Sequence, residues 1–159
     1  MTVFDKRALR TALGSFATGV TIVTARNADG DLVGVTANSF SSVSLDPPMV
    51  LWSLDNGAYS RPVFEAAGAF VVNILAADQI ELSNRFARKG GFDKFEGVAF
   101  RSGVGGAPVL EGVAASFECR TAAIHDGGDH RIFLGHVQSF ADHGLAPLLF
   151  HRGVYARAA

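Results

Sequence analysis

VTIVTARNADGDLVGVTANSFSSVSLDPPMVLWSL, residues 20–54, is the stretch that decides how this chain folds. Residues 20–26 are mostly β-branched and aliphatic, the composition of a strand. Asn27-Ala28-Asp29-Gly30 follows, and Asp-Gly supplies the positive φ that a tight hairpin wants. Residues 32–36 then return as the antiparallel partner, and residues 49–54 form a third strand, apolar enough to be central. Between them lies GVTANSFSSVSLDPP, residues 34–48. Eleven of its fifteen residues are Gly, Ser, Thr, Asn, Asp, Pro or Ala, and Pro47-Pro48 stops any helix. It reads either as an ordinary Ser/Thr-rich loop between strands or as a surface on which a ligand lies close to the backbone.

Outward from this stretch, Phe4, Leu9, Ala12, Leu13 and Phe16 recur at helical spacing. They predict an amphipathic helix over about residues 5–17 with Asp5 as N-cap. Ser60-Arg61-Pro62 starts a short helix with Ser60 as its cap, and FVVNIL, residues 70–75, is a strand. Asp78 caps a helix over residues 79–88, with Ile80, Leu82 and Phe86 inward, and residues 93–97 make a short turn. Residues 114–124 and 130–141 form a long pair across Asp126-Gly127-Gly128-Asp129. PLLFHRGVY closes the chain with one short strand and a turn at Arg152-Gly153. Six or more strands in hairpin order with three short helices predict a mainly β, closed antiparallel barrel. The scarcity of helices between strands argues against parallel βαβ packing.

The length, 159 residues, fits a single domain spanning residues 1–159, long enough to bury its own core. Hydrophobic residues make up 48% and charged residues only 18%, so part of the apolar surface is expected between subunits of a homodimer. The net charge is −1 with no basic block, which disfavours nucleic acid and anionic membranes as partners. The single cysteine, Cys119, rules out an internal disulfide and reads as a small core or interface residue. The first sixteen residues carry charges within their apolar stretch, unlike a signal peptide, and no apolar run reaches membrane-spanning length. A cytoplasmic location is the expectation.

Familiar catalytic motifs are missing. His125, His130, His136, His143 and His151 stand in no H-x-x-x-H or H-E-x-x-H spacing, so no metal site is expected. No G-x-S-x-G occurs, and Gly103-Val104-Gly105-Gly106 neither leaves a strong strand nor opens a helix, a poor dinucleotide fingerprint. What the chain does have is clustered small hydroxyls and amides: Thr36, Asn38, Ser39, Ser41, Ser42, Ser44, Ser53 and Ser60. A flavin needs such groups along its pyrimidine edge, apolar cover for its dimethylbenzene end, and hydroxyls, amides and a cation for its phosphate. Ser60-Arg61 at a helix start offers all three phosphate needs, with Arg85 and Lys89 as further cations; Arg61, Arg85 and Lys89 read equally as a solvated helix face. His130 sits at a glycine-rich turn. His151, Arg152 and Tyr155 stand within five residues, a cationic and aromatic group that suits a nucleotide with a pyrophosphate or simply a polar chain end.

Several stretches together resemble the short-chain flavin reductases, the reductase components of two-component, flavin-diffusible monooxygenases. They include LRTALGSFATGVTIVTA (9–25), GVTANSFSSVSLDPPMVLWSL (34–54), LSNRFA (82–87), DKFEGV (93–98), GGDHRIFLGHV (127–137) and PLLFHRGVY (147–155). The resemblance runs nearly end to end and rests above all on TANSFSSVSLDPP, GDH and HRGxY. It implies a Greek-key FMN-binding split barrel that works as a homodimer, passes hydride from NADH or NADPH to FMN or FAD, and supplies a separate flavin-dependent monooxygenase. By position it implies that Thr36, Ala37, Asn38 and Ser39 line the flavin ring, that Ser53 and Leu54 lie near the ribityl chain, and that Ser60, with Arg61 beside it, lies near the phosphate. Phe86, Ala87 and Lys89 close the site. His130 contacts the nicotinamide nucleotide, with a positioning or electrostatic role, and His151, Arg152, Gly153 and Tyr155 help hold it. Hydride transfer between stacked rings needs little acid–base help, which accounts for the lack of a catalytic dyad. The rival expectations are a non-catalytic flavin carrier or sensor on the same barrel, and a structural dimer with no ligand.

Overall fold

A computed structural model describes residues 3–91 and 93–159. Phe92, inside the K-G-G-F-D-K-F stretch, and the first two residues lie outside the described residues. In chain order the elements are α1 (Lys6–Leu13), β1 (Thr18–Gly19), β2 (Thr21–Arg26), β3 (Leu32–Ala37), β4 (Ser41–Leu45), β5 (Pro48–Asp55), α2 (Arg61–Ala67) and β6 (Ala69–Ile74). Then come α3 (Ile80–Phe86), β7 (Phe100–Ser102), β8 (Pro108–Leu110), β9 (Ala115–Gly127), β10 (His130–Asp142), β11 (Leu148–His151) and β12 (Val154–Arg157). The chain is mainly β with three short helices, and every strand pairing described is antiparallel.

The main sheet has seven strands in the order β3-β2-β6-β9-β10-β5-β4. Its two ends curl toward each other. Val23 and Ala25 of β2 and Val33 of β3 share one buried core with Val50, Trp52 and Leu54 of β5, although three strands separate β2 from β5 in the sheet. Trp52 is the centre of that core. Its ring lies 4.8 Å from Phe64 of α2, 5.9 Å from Phe70 and 4.9 Å from Phe133, the last stacked. Such pairs add roughly 0.5–1.5 kcal/mol each beyond area burial. The opposite face of β2 carries Ile22, in line with Val20 just before the strand, and both are covered by Phe86, Phe95, Leu110 and Leu148. Residues 21–25 of β2 are therefore buried on both faces, which is why Thr21, Ile22, Val23, Thr24 and Ala25 carry no charge on either face and the strand does not alternate apolar with charged residues.

Four expectations change. The small-residue stretch 34–48 is not a loop: it holds the last four residues of β3, a bend at residues 38–40, all of β4 and a cis Asp46–Pro47 bond leading into β5. A serine-rich strand carries weak β propensity, and β4 forms only because it lies along β5 at the sheet edge. β5 is second from that edge, not central. In α3 the N-cap position is Gln79, not Asp78; Ser83 and Phe86 are the buried residues, and Ile80 is exposed. The chain end is a hairpin of two strands, β11 and β12, and β11 also pairs with β1.

Asp5 caps α1 as expected, accepting from Arg7 N–H at 2.9 Å and Ala8 N–H at 3.4 Å. No residue of α1 is buried, however, and Phe4, Leu13 and Phe16 are each about two-thirds or more exposed. The amphipathic face is real and lies uncovered on the single chain. Among the described residues no helix is long and apolar enough to cross a membrane.

Candidate functional site

β3 pairs only with β2, so its outer edge has backbone N–H and C=O groups with no strand partner. The residues along it are held from behind. Thr36 Oγ1 donates to Ser83 O of α3 at 2.6 Å, and Thr21 Oγ1 donates to Ala37 O at 2.7 Å. Ser39 Oγ donates to Ser53 O at 3.0 Å and accepts from Ser53 N–H at 2.9 Å. The hydroxyls of Thr36 and Ser39 are thus engaged with backbone, and the free hydrogen-bonding groups of the strand are main-chain ones. Gly34 is small for a packing reason: a Cβ there would lie 2.6 Å from the Phe86 ring.

A cleft of about 610 Å³ opens beside this edge, lined by Gly34 and Val35 of β3, Ser60, Ala87, Lys89 and Lys94 among others. Ser60 sits at the cap position of α2, nearly buried and without a capping bond from its side chain. Ala87 and Lys89 line the cleft from the end of α3. Phe86 and Leu54 do not line it: both side chains are buried, Phe86 beneath Gly34 and Leu54 in the main core. Arg61 is also turned away. Its Nε pairs with Glu65 at 3.1 Å and its Nη1 donates to Asn56 O at 3.1 Å. Arg85 donates to Glu96 O at 2.8 Å. The cations of the cleft are instead Arg88, Lys89 and Lys94. Lys94 was not foreseen, because one lysine in a D-K-F turn gives no periodic or motif signal.

A second cleft, about 540 Å³, lies against α1 and is lined by Arg10, Leu13, Phe16, Asn38, Arg152 and Gly153 among others. Asn38 thus follows β3 into this second cleft, so the strand joins the two. Arg152, with φ +50, and Gly153, with φ +78, make the tight turn between β11 and β12. Arg152 Nη2 donates to Ser15 Oγ at 2.8 Å. Tyr155 bonds Ser83 Oγ at 2.7 Å and donates to Asn84 Oδ1 at 2.8 Å, fastening β12 to α3. His151 is exposed at the end of β11.

His130 lies elsewhere, at the tip of β9–β10, opposite Asp55 of β5. Its Nδ1 pairs with Asp129 Oδ1 at 2.6 Å. That hydrogen bond, with the charge of His130, holds the Asp129 carboxyl below the usual carboxylate range. Asp55 lines the first cleft, so His130 neighbours that cleft, whereas Arg152 and Gly153 line the second. One chain does not gather the GDH and HRGxY residues into a single lining.

A mainly antiparallel β fold, with an edge strand of small residues between a lysine-rich cleft and a second cleft, matches a known domain. The family described as flavin reductase like domain covers residues 13–159, and the chain belongs to that family. It is 46% identical over 153 residues to FMN reductase (NADH) SmoA of Agrobacterium fabrum, spanning 96% of this chain and 86% of that one. It is 48% identical over 153 residues to a probable flavin reductase of Rhizobium meliloti, spanning 96% of this chain but 49%, about half, of that relative's length. Among solved structures, the Streptomyces globisporus NADH:FAD oxidoreductase SgcE6 in complex with NAD and FAD fragments superposes with a TM-score of 0.92. It is 37% identical, covering 100% of this chain and 97% of that one.

Proposed function

We propose that this chain is an NAD(P)H:flavin oxidoreductase that reduces FMN or FAD and supplies the reduced flavin to a separate monooxygenase. The observation that carries the reading is the edge of β3, paired with no second strand, lying beside a cleft with three cations and the nearly buried Ser60. Its donors and acceptors suit the polar edge of a flavin ring, and its cations suit a phosphate, so the residues present fit such a group. The relatives named above as FMN reductase (NADH) and NADH:FAD oxidoreductase support it. A relative of Mycobacterium tuberculosis, 40% identical over 154 residues, is named as the reductase subunit HsaB of a flavin-dependent monooxygenase and supports the partner.

The flavin, when bound, supplies the acceptor for a hydride from the nicotinamide. The chain's residues bind and orient. In this reading the backbone of residues 36–39 meets the ring, Ser53 lies near the ribityl chain, and Ser60, Ala87 and Lys89 close the phosphate end. Phe86 and Leu54 act from beneath, by shaping the floor. His130, held by Asp129, positions the nicotinamide nucleotide, and His151, Arg152, Gly153 and Tyr155 shape its second contact. No side chain needs to move a proton for hydride transfer itself.

The curled sheet is read as a Greek-key split barrel, and the uncovered face of α1 as part of a homodimer interface. Sedimentation equilibrium should give twice the chain mass. For the activity, purified protein should oxidise NADH or NADPH when FMN or FAD is added. Loss of neither nucleotide with either flavin overturns the proposal, and flavin binding without turnover makes the chain a carrier.

A further inference from the structure

Arg61 reads as a ligand group in the sequence but is turned from the first cleft, so its role lies elsewhere. α2 packs on β10 through Phe64 and Phe133, whose ring centroids are 6.1 Å apart. Arg131, two residues before Phe133, shares its face of the strand, and Glu65 follows Phe64 on the helix. The packing therefore sets Glu65 beside Arg131. Its Oε1 lies 3.2 Å from Arg131 Nε and 3.1 Å from Arg61 Nε. That oxygen is shielded from solvent, so one carboxylate neutralises two guanidiniums at close range. Arg131 also pairs with Asp126 across the hairpin. Arg61 reaches on to Asn56, donating from Nη1 to its carbonyl at 3.1 Å. Asn56 in turn holds the turn of the β9–β10 hairpin, donating its N–H to Asp129 O at 2.9 Å and from Nδ2 to Gly128 O at 3.2 Å. The residues on both sides of His130 are thus fastened to α2 and to the segment before it, and Asp55, Gly57 and Ser60 of that segment line the first cleft.

We propose that Arg61 and Glu65 are positioning residues for His130. They fix the hairpin tip against the wall of the first cleft, so that the imidazole meets the nicotinamide nucleotide from a fixed place beside that cleft. The inference rests on the flavin reading above and gives Arg61 a role other than binding the flavin phosphate. The β10–β5 ladder sets His130 opposite Asp55, and the Gly128-Asp129 turn lies beyond its end. A turn past the last rung of a ladder opens easily unless other groups hold it. Glu65 does more here than an exposed ion pair would. Its loss leaves the Arg61 and Arg131 guanidiniums facing each other, with only the exposed Asp126 against them. Their repulsion moves the hairpin away from α2, and His130 with it.

The test is steady-state NADH oxidation with added FMN, together with NMR of the ligand-free chain. Glu65→Gln keeps the shape of the side chain and removes its charge. It should raise the KM for NADH about three- to tenfold, change kcat by less than about twofold and leave the Kd for FMN unaltered. In a His130→Ala background the same substitution should cost nothing further, because a residue that acts only through the imidazole has nothing left to place. Additive effects make Glu65 a general support of the fold and overturn the proposal; so does an unaltered KM. In the ligand-free chain the His130 Cε1–H resonance, assigned by its absence from His130→Ala, should shift and broaden in Glu65→Gln while that of His151 stays in place. An unmoved His130 signal also overturns the proposal. Should Glu65→Gln not fold, Arg61→Met takes its place with the same expected results. Weaker binding of FMN but not of riboflavin by Arg61→Met would make Arg61 a phosphate ligand and overturns its positioning role. A parent chain inactive with both FMN and FAD overturns the flavin reading itself, and the role of Arg61 and Glu65 with it. An active parent that Glu65→Gln matches in every readout overturns only that role.

Discussion

Ser39 and Ser53 hold each other twice: one hydroxyl donates to the Ser53 carbonyl at 3.0 Å and accepts from the Ser53 N–H at 2.9 Å. Through this pair the chain leaving β3 is fixed to β5, near the point where the two ends of the sheet approach. Ser39→Ala removes both bonds without adding bulk. At roughly 0.5–1.5 kcal/mol net per bond, the expected loss is about 1–3 kcal/mol. Calorimetry should show a melting temperature lower by about 2–12 °C for a chain of this size.

Gly34→Val should be worse, for a steric reason. The new Cβ would lie 2.6 Å from Phe86 Cε1 and 3.1 Å from Phe95 Cζ, both in rings of the second core. Overpacking of this kind costs about 1–3 kcal/mol or more. Shortening the obstacle should help: in a Gly34→Val, Phe86→Leu double variant, denaturant unfolding should show less destabilisation than the sum of the two single variants. Strict additivity would mean the ring is not what the side chain meets.

Cys119 is buried, and burial, aided by the neighbouring Glu118 carboxylate, pushes its thiol up to about 12. An unfolded thiol ionises near ~8.5. The folded state therefore keeps its proton where the unfolded state has lost it. The stability this contributes is full below the unfolded value and is lost as pH rises from there toward about 12. Two measurements check it. A disulfide reagent at pH 8 should label the native chain only at its unfolding rate, and Cys119→Ala should flatten the alkaline fall in stability.

Tyr155→Phe and His130→Ala should differ in what they cost the fold. Tyr155→Phe loses bonds to Ser83 and Asn84 and should lower stability by about 1–3 kcal/mol. His130→Ala removes an imidazole at a hairpin tip, so it should leave melting unchanged, keep flavin affinity and raise the KM for NADH several-fold. A His130→Ala variant with unaltered KM counts against its positioning role.

Much of the fold was legible because it is local. The β2–β3 hairpin follows from Val20, Thr21, Ile22, Val23 and Thr24 and from the Asp29-Gly30 turn, and the β9–β10 pair follows from glycines between two apolar runs. β4 was not legible. Ser41, Ser42 and Ser44 have no strand signal of their own and are ordered by β5. Ile80 was misplaced because helical spacing fixes which residues share a face, not which face finds a partner.

The same division runs through the site. The sequence by itself determined the class of surface: small residues at 34–39, a serine before a short helix, and Lys89 after α3, a pattern whose chemistry points to a phosphorylated aromatic ligand. Which atoms face that ligand was decided only by tertiary structure. Ser39 looked like a ligand group and is engaged with Ser53. Arg61 looked like the phosphate cation and is held by Glu65, while Lys94, silent in sequence, lines the cleft. The reason is physical. A residue type states what bonds a side chain can make, but its partners lie on strands and helices distant in sequence, and only packing of the sheet brings them within 3 Å or so of one another.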